Sequence, residues 1–159
     1  SGTAIFQLPM GYSLALLGAG FLVNLAGGIA ILVGIVMAIS GMATYLAHTL
    51  AEGGRVYLGI GPFVGAVSGF ITGSTSGANA MLATTQAEIA RALHVDVLAF
   101  LSIHNVAGAF LLMASPSKVE LAVQLAPQGA QQELRWVQVS VLAVGVVVVS
   151  GLAVCGLLL

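Results

Sequence analysis

Charged residues are scarce in this sequence of 159 residues, of which only 6% are Asp, Glu, Lys or Arg. A soluble domain carries about 25% charged residues, so this chain, with 59% hydrophobic residues, lacks the charge to cover a water-facing surface. Its long apolar stretches predict membrane-spanning helices, and the predicted fold class is an all-α integral membrane protein. The net charge of −1 gives no electrostatic attraction to nucleic acid or to an anionic membrane surface.

Cysteine is almost absent as well. Cys155 is the single cysteine and lies in an apolar run, which excludes a disulfide framework within the chain and a cysteine metal site. We therefore predict no metal site and no cofactor. The sequence has no initiator Met and no basic segment before its first apolar stretch. It does not indicate a signal peptide, and we expect the chain to be part of a longer protein.

Glycine, by contrast, is abundant and regularly spaced, with glycines at positions 61, 65, 69, 73 and 77. The first three lie among apolar residues and allow helix backbones to approach closely in lipid. Gly73 and Gly77 alternate with hydroxyl residues and favour unwound backbone, because glycine adopts conformations that other residues avoid. The pattern predicts a half-helix over about 59–72 that ends in a polar tip over 73–79, with Gly73 and Gly77 as its structural residues.

The long apolar region before this segment predicts further spans. Residues 8–50 contain no Asp, Glu, Lys or Arg, and this region is too long for one helix of ordinary length. It favours two spans of about 9–27 and 29–50, joined near Gly27 and Gly28. One long tilted helix followed by a partial one is an alternative, because the join is shorter than most loops between antiparallel helices.

The region after the polar tip contains a second interrupted apolar segment. We predict a helix over 80–94, a broken span over 97–126 and a final span over 136–159. The break falls at Ser115-Pro116-Ser117-Lys118, because proline removes a backbone donor and disfavours helix at the preceding residue. The predicted architecture is a polytopic helical bundle with discontinuous or re-entrant helices, and two broken apolar segments indicate a transporter binding site.

From about residue 30 to 126 the sequence resembles the C-terminal part of the bacterial lactate permease family. The resemblance is carried by Ser40-Gly41-Met42, Gly61-Pro62-Phe63-Val64-Gly65, Thr72-Gly73-Ser74, Asn79-Ala80, Gln86, Gly108, Met113 and Ser115-Pro116. It implies a multi-pass carrier of the bacterial inner membrane that moves lactate, and related 2-hydroxy acids such as glycolate, together with a proton. Full members of the family are several times longer, so the resemblance implies that the rest of the same transporter is a partner.

The resemblance also implies which residues bind the substrate. Ser74, Thr75, Ser76 and Asn79 would form one hairpin tip, and Ser115 and Ser117 on either side of Pro116 would form the other break. Backbone N–H groups at the start of the following helix can bind a carboxylate, and the helix dipole favours an anion there. The alternative is that these side chains only cap helix ends.

Proton coupling requires a group that changes charge within the membrane. His104 is the candidate, since histidine is the side chain whose ordinary pKa lies nearest physiological pH and His104 lies in the middle of a predicted span. The alternative is a hydrogen-bonded packing residue.

Two other functional classes stay open beside the carrier. One is a channel-like or non-transporting membrane fragment. The other is an intramembrane serine hydrolase using Ser76 and His104, but the local sequence lacks the Gly-x-Ser-Gly of rhomboid-type proteases, so we do not expect an enzyme.

Overall fold

A computed structural model describes residues 10–125 and 131–159, and it describes side chains within residues 25–123, at Leu125 and over 133–159. These ranges contain seven α-helices and no strand. The helices are α1 (Met10–Ile39), α2 (Met42–Ala51), α3 (Arg55–Thr72), α4 (Thr75–Ala92), α5 (Val97–Leu112), α6 (Pro116–Leu125) and α7 (Gln131–Leu157). The predicted all-helical fold class is confirmed.

Among the residues whose side chains are described, three segments are long and apolar enough to cross a membrane: Arg55–Thr72, Val97–Val123 and Glu133–Leu157. A fourth crossing is added if α2 and Leu25–Ile39, the part of α1 whose side chains are described, form one span, although the two helices meet at an angle of 81°. The second segment includes the break between α5 and α6. The chain is therefore a multi-pass membrane protein.

Helices α3 and α5 run parallel and pack face to face along the glycines of α3. Gly61 faces Phe100, Gly65 faces His104 and Gly69 faces Gly108. From one pair to the next, both helices advance by about one turn in the same direction. A methyl group at Gly61 would lie 2.5 Å from Cζ of Phe100, and one at Gly65 would lie 2.6 Å from the His104 carbonyl oxygen. Close backbone approach through small residues holds this pair together.

Helices α4 and α7 run antiparallel to α3. Gln86, towards the end of α4, reaches the level of Gly61, where its Oε1 would lie 3.5 Å from an added methyl group. At the other side of α3, Gly156 of α7 lies against the Leu58 carbonyl. An apolar cluster that includes Leu58, Ile89 and Phe100 fixes the end of the bundle away from Gly73.

Helix α1 runs parallel to α4 and also packs through glycines. Gly34 lies against the backbone of Ala80, and a methyl group at Gly77 would lie 3.2 Å from Cα of Gly27. Gly77 is thus a packing residue inside α4. The prediction that it belongs to an unwound tip is wrong, because the helix begins before it.

The predicted join at Gly27 and Gly28 between spans of about 9–27 and 29–50 is also wrong. Helix α1 continues through both glycines to Ile39, because within a membrane a continuous helix satisfies its own backbone hydrogen bonds. The break lies instead at Ser40 and Gly41, where Gly41 has a φ of 73°. Residue 9 lies outside the described residues.

The remaining boundaries differ from the predicted ones by a few residues. Helix α3 begins at Arg55 and α4 at Thr75, so only Gly73 and Ser74 separate them and the polar tip over 73–79 is mostly helical. The predicted helix over 80–94 corresponds to α4, and the predicted span over 136–159 to α7. In the predicted broken span, the interruption covers residues 113–115, and residue 126 lies outside the described residues.

Candidate functional site

Two breaks between helices contain or adjoin most of the predicted substrate-binding residues. The first is a two-residue turn between α3 and α4. Gly73 ends α3 with a φ of 61°, a left-handed conformation that glycine adopts without a steric penalty, and its N–H donates to the Gly69 carbonyl at 3.0 Å. Ser74 then has an extended backbone, with a φ of −147°. The buried Thr72 hydroxyl lies 2.8 Å from the Ser68 carbonyl and 2.9 Å from the Ser74 carbonyl, which holds the turn in place.

Ser74 is the N-cap of α4. The Gly77 N–H donates to Ser74 Oγ at 3.1 Å, and the Ala78 N–H donates to the Ser74 carbonyl at 2.9 Å. The first N–H groups of a helix have no partner within it, so those of Thr75 and Ser76 remain available. They are donors at the positive end of the α4 dipole.

The second break separates α5 from α6, and it too is followed by the N-terminus of a helix. Lys118 and Val119 each donate their N–H to the Ser115 carbonyl at 3.0 Å, so Ser115 is the residue immediately before α6 and its carbonyl accepts the first hydrogen bonds of that helix. Pro116 is the first helical residue, a position where its missing N–H costs nothing. Ser115 is fully buried, and its Oγ lies 3.3 Å from Ser117 Oγ.

The two breaks meet at Gly73. A methyl group on Gly73 would collide with Ser117 Oγ and lie 3.5 Å from Ser115 Oγ. The start of α6 therefore lies against the turn that starts α4, and we call Thr72, Ser74, Ser115 and Ser117 the hydroxyl cluster. Neither helix has an acidic residue in its first turn, whereas α6 has Lys118 there. Two helix N-termini, several hydroxyl groups and a cation form a surrounding that favours an anion.

Asn79 is not part of the hydroxyl cluster. It lies on α4 five residues beyond Ser74, about 7.5 Å along the helix axis. Its Nδ2 donates to Asn105 Oδ1 on α5 at 2.8 Å, and we call these two side chains the amide pair. They line a cavity of about 260 Å³, together with Ala83, Leu101 and Ser102.

Of the other predicted site residues, Thr75 and Ser76 directly follow Ser74, whereas His104 lies apart on α5. Thr75 is half-buried and Ser76 exposed in the first turn of α4. His104 is buried on α5 against Gly65, and neither of its ring nitrogens has a hydrogen-bond partner among the described residues. Ser76 and His104 are thus not hydrogen-bonded to each other, so the pairing that a serine hydrolase needs is not formed.

Sequence reasoning missed several polar residues that the structure places in the first turn, in the amide-pair cavity or buried further along α4. Thr72 belongs to the first turn, Asn105 and Ser102 line the amide-pair cavity, and the buried Thr85 Oγ1 and Gln86 Oε1 have no partner among the described residues. A signal was present for Ser102 and Asn105, because polar residues in the middle of an apolar span are costly and usually functional.

The chain is similar to known membrane transporters. A family described as L-lactate permease matches residues 21–154. The L-lactate permease of Escherichia coli strain K12 is 32% identical over 83 residues, which cover 52% of this chain and 15% of that protein. The L-lactate permease of Salmonella typhi is 31% identical over the same share of each chain.

A shorter match has a different name. A putative oligopeptide transporter of Haemophilus influenzae is 62% identical over 37 residues, which cover 23% of this chain and 6% of that protein. The chain thus matches only a small part of the length of these curated relatives. No solved structure matches the chain.

Proposed function

Because the chain belongs to the L-lactate permease family, we propose that it is part of a carrier that moves lactate, or a related short 2-hydroxy acid such as glycolate, across the bacterial inner membrane together with a proton. The rest of the same transporter would complete the carrier. The observation that supports this function best is the meeting of two helix N-termini at Gly73, since a carboxylate is the part of lactate that such a surrounding favours.

In this proposal the hydroxyl cluster and the first turn of α4 bind the carboxylate. The N–H groups of Thr75 and Ser76 donate to one oxygen. With Ser115 as the donor in the Ser115–Ser117 hydrogen bond, the hydroxyl of Ser117 donates to the other oxygen. Ser74 holds the turn as the N-cap of α4. Partial charges rather than a buried acid–base pair bind the anion, which allows release on the far side of the membrane.

His104 is the proposed proton-coupling group. It lies on the face of α5 that packs against α3, two and a half turns before the α5–α6 break. Its ring is buried with both nitrogens unpartnered among the described residues. A buried polar group without a partner is costly in a static protein, so a state in which the ring gains a proton or a water is expected during transport.

The test of the carboxylate site is uptake of labelled lactate by cells that express the complete open reading frame encoding this chain. Ser117→Ala removes a hydroxyl that contacts Ser115 and does not cap a helix. A hydrogen bond to a charged group contributes about 1.5–3 kcal/mol, so we expect the KM for lactate to rise at least tenfold. Ser140→Ala is the matched control, because Ser140 Oγ only donates to Trp136 of its own helix. An unchanged KM in Ser117→Ala would contradict the site.

The same cells can distinguish the proposed lactate carrier from two other activities. A channel would give electrical conductance without pH-coupled uptake of lactate. The name of the Haemophilus influenzae relative suggests oligopeptides, which a dipeptide competitor tests. Inhibition of uptake by a dipeptide but not by glycolate would overturn the proposal.

A further inference from the structure

The amide pair leaves hydrogen-bonding groups free beside its cavity. One N–H of Asn79 Nδ2 is donated to Asn105 Oδ1. An amide side chain has two donor hydrogens and an acceptor oxygen, so Asn79 Oδ1 and both hydrogens of Asn105 Nδ2 remain. Neither atom has a partner among the described residues. The pair thus presents an acceptor next to a donor.

The rest of the cavity is complementary to a small molecule with one polar and one apolar side. Ser102 Oγ donates its proton to the Leu98 carbonyl at 2.7 Å, so towards the cavity it can only accept. Ala83 and Leu101 supply the apolar wall. Asn105 and Ser102 are exposed and Asn79 is half-buried among the described residues, so the cavity is open and a ligand with a hydroxyl group can reach the free donor and acceptor of the pair.

We infer that the amide pair and its cavity form a second binding subsite, which recognises the 2-hydroxyl group of a short 2-hydroxy acid. This inference rests on the proposed function and adds a subsite to it. Ser74 and Asn79 are separated by about 7.5 Å along α4, which is more than a three-carbon acid can span. The hydroxyl cluster and the amide pair therefore bind the substrate at successive positions, with Asn105 and Asn79 as the specificity-determining residues.

The hydrogen-bonding groups of the pair predict a preference for lactate over propionate and pyruvate. A 2-hydroxyl group donates its proton to Asn79 Oδ1 and accepts a hydrogen from Asn105 Nδ2. Propionate has no group at this position, and pyruvate has a carbonyl that accepts but does not donate. An analogue without the hydroxyl group forms neither of these two hydrogen bonds, so we expect it to bind this cavity more weakly.

The experiment measures how well lactate and propionate compete with labelled lactate for uptake. We expect the wild-type carrier to prefer lactate and the preference to fall at least tenfold in Asn105→Ala. Ser117→Ala should weaken both acids equally, because both have a carboxylate. Thr84→Ala is the control, since Thr84 is exposed on the same helix as Asn79 and does not line the cavity.

A second measurement does not depend on a functional Asn105 variant. In a carrier whose Cys155 and other cysteines are serine, Ser102→Cys places a thiol in the cavity. We expect lactate to slow its alkylation by a maleimide and propionate not to. An unchanged lactate preference in Asn105→Ala, or equal protection by both acids, would overturn the subsite alone. A wild-type carrier that takes up no lactate would overturn the proposed function and the subsite with it.

Discussion

Gly69 and Gly108 touch backbone to backbone: a methyl group on Gly69 would collide with the Gly108 carbonyl. This contact fixes the register between α3 and α5, because neither helix can slide without meeting a side chain of the other. One turn beyond it, α3 ends at Gly73 and meets the start of α6. The glycine contact therefore decides where the two breaks in the chain meet.

Gly69→Ala tests whether this contact holds the bundle together. The added methyl group must displace backbone rather than a flexible side chain, so we expect a destabilisation of about 1–3 kcal/mol. The measurement is the fraction of carrier that stays monodisperse after heating in detergent. Gly59→Ala is the matched control, because the atoms nearest to the added methyl group would be the outer carbon atoms of the Leu157 side chain, which can change rotamer. Equal loss in both variants would contradict the register argument.

Gly73→Ala affects the site itself. A side chain at a φ of 61° is strained by about 1–2 kcal/mol, and the methyl group would also displace the Ser117 hydroxyl. We expect lactate uptake to fall at least tenfold while the protein still reaches the membrane. The measurement is uptake normalised to the amount of carrier in the membrane fraction.

The control for this substitution is Gly151→Ala. Gly151 is in α7 and has nothing within 4 Å of an added methyl group, so its uptake should equal that of the wild type. Wild-type uptake by Gly73→Ala would show that the turn is not where the substrate binds.

The sequence signals identified the position of the first break but not its length. Gly73 was predictable because a glycine followed by hydroxyl residues favours a left-handed end to a helix. Gly77 has the same local signal, yet it is helical and packs against α1, where an added methyl group would lie 3.2 Å from Cα of Gly27. That contact joins segments 50 residues apart in the numbering, and a local pattern does not contain it.

The error at Gly27 and Gly28 does not have this cause, because a methyl group at Gly27 would lie 3.7 Å from Ser74, an ordinary contact distance, and one at Gly28 would have nothing within 4 Å. Here a glycine pair predicted a turn, although α1 continues through it. The separation of the candidate site into the hydroxyl cluster and the amide pair does depend on packing. Asn79 was grouped with Ser74 because they are close in sequence. The pairing of Asn79 with Asn105 depends on how α4 packs against α5, which became visible only in three dimensions.

Ser74→Asp distinguishes a helix cap from a substrate contact. Aspartate is as good an N-cap as serine and interacts favourably with the helix dipole, so α4 should stay intact. A negative charge beside the carboxylate site, however, repels an anionic substrate. We expect normal amounts of carrier in the membrane and a KM for lactate at least tenfold higher. Unchanged uptake would mean that Ser74 acts as a cap alone.

Removing the ion pair between Glu88 and Arg91 should have little effect. The two side chains are three residues apart on α4, with Nη1 and Oε1 at 2.6 Å and relative exposures of 35% and 59%. Exposed pairs of this spacing stabilise a helix by about 0.2–0.5 kcal/mol. We expect Glu88→Gln to keep wild-type uptake and thermal stability, measured as for Gly69→Ala. A large loss of uptake or of thermal stability in Glu88→Gln would show that this ion pair contributes to transport or to the fold.

His104→Gln tests the coupling of transport to a proton. Glutamine fills much of the same space against Gly65 and can form hydrogen bonds, but it does not gain a proton in the physiological range. If His104 carries the coupled proton, lactate should still exchange across vesicle membranes, whereas uptake driven by a pH gradient should fall at least tenfold. If His104 is a packing residue only, the variant should either keep normal gradient-driven uptake or lose exchange and gradient-driven uptake together. The comparison of the two transport modes in the same vesicles therefore separates coupling from packing, because a misfolded carrier cannot lose one mode and keep the other.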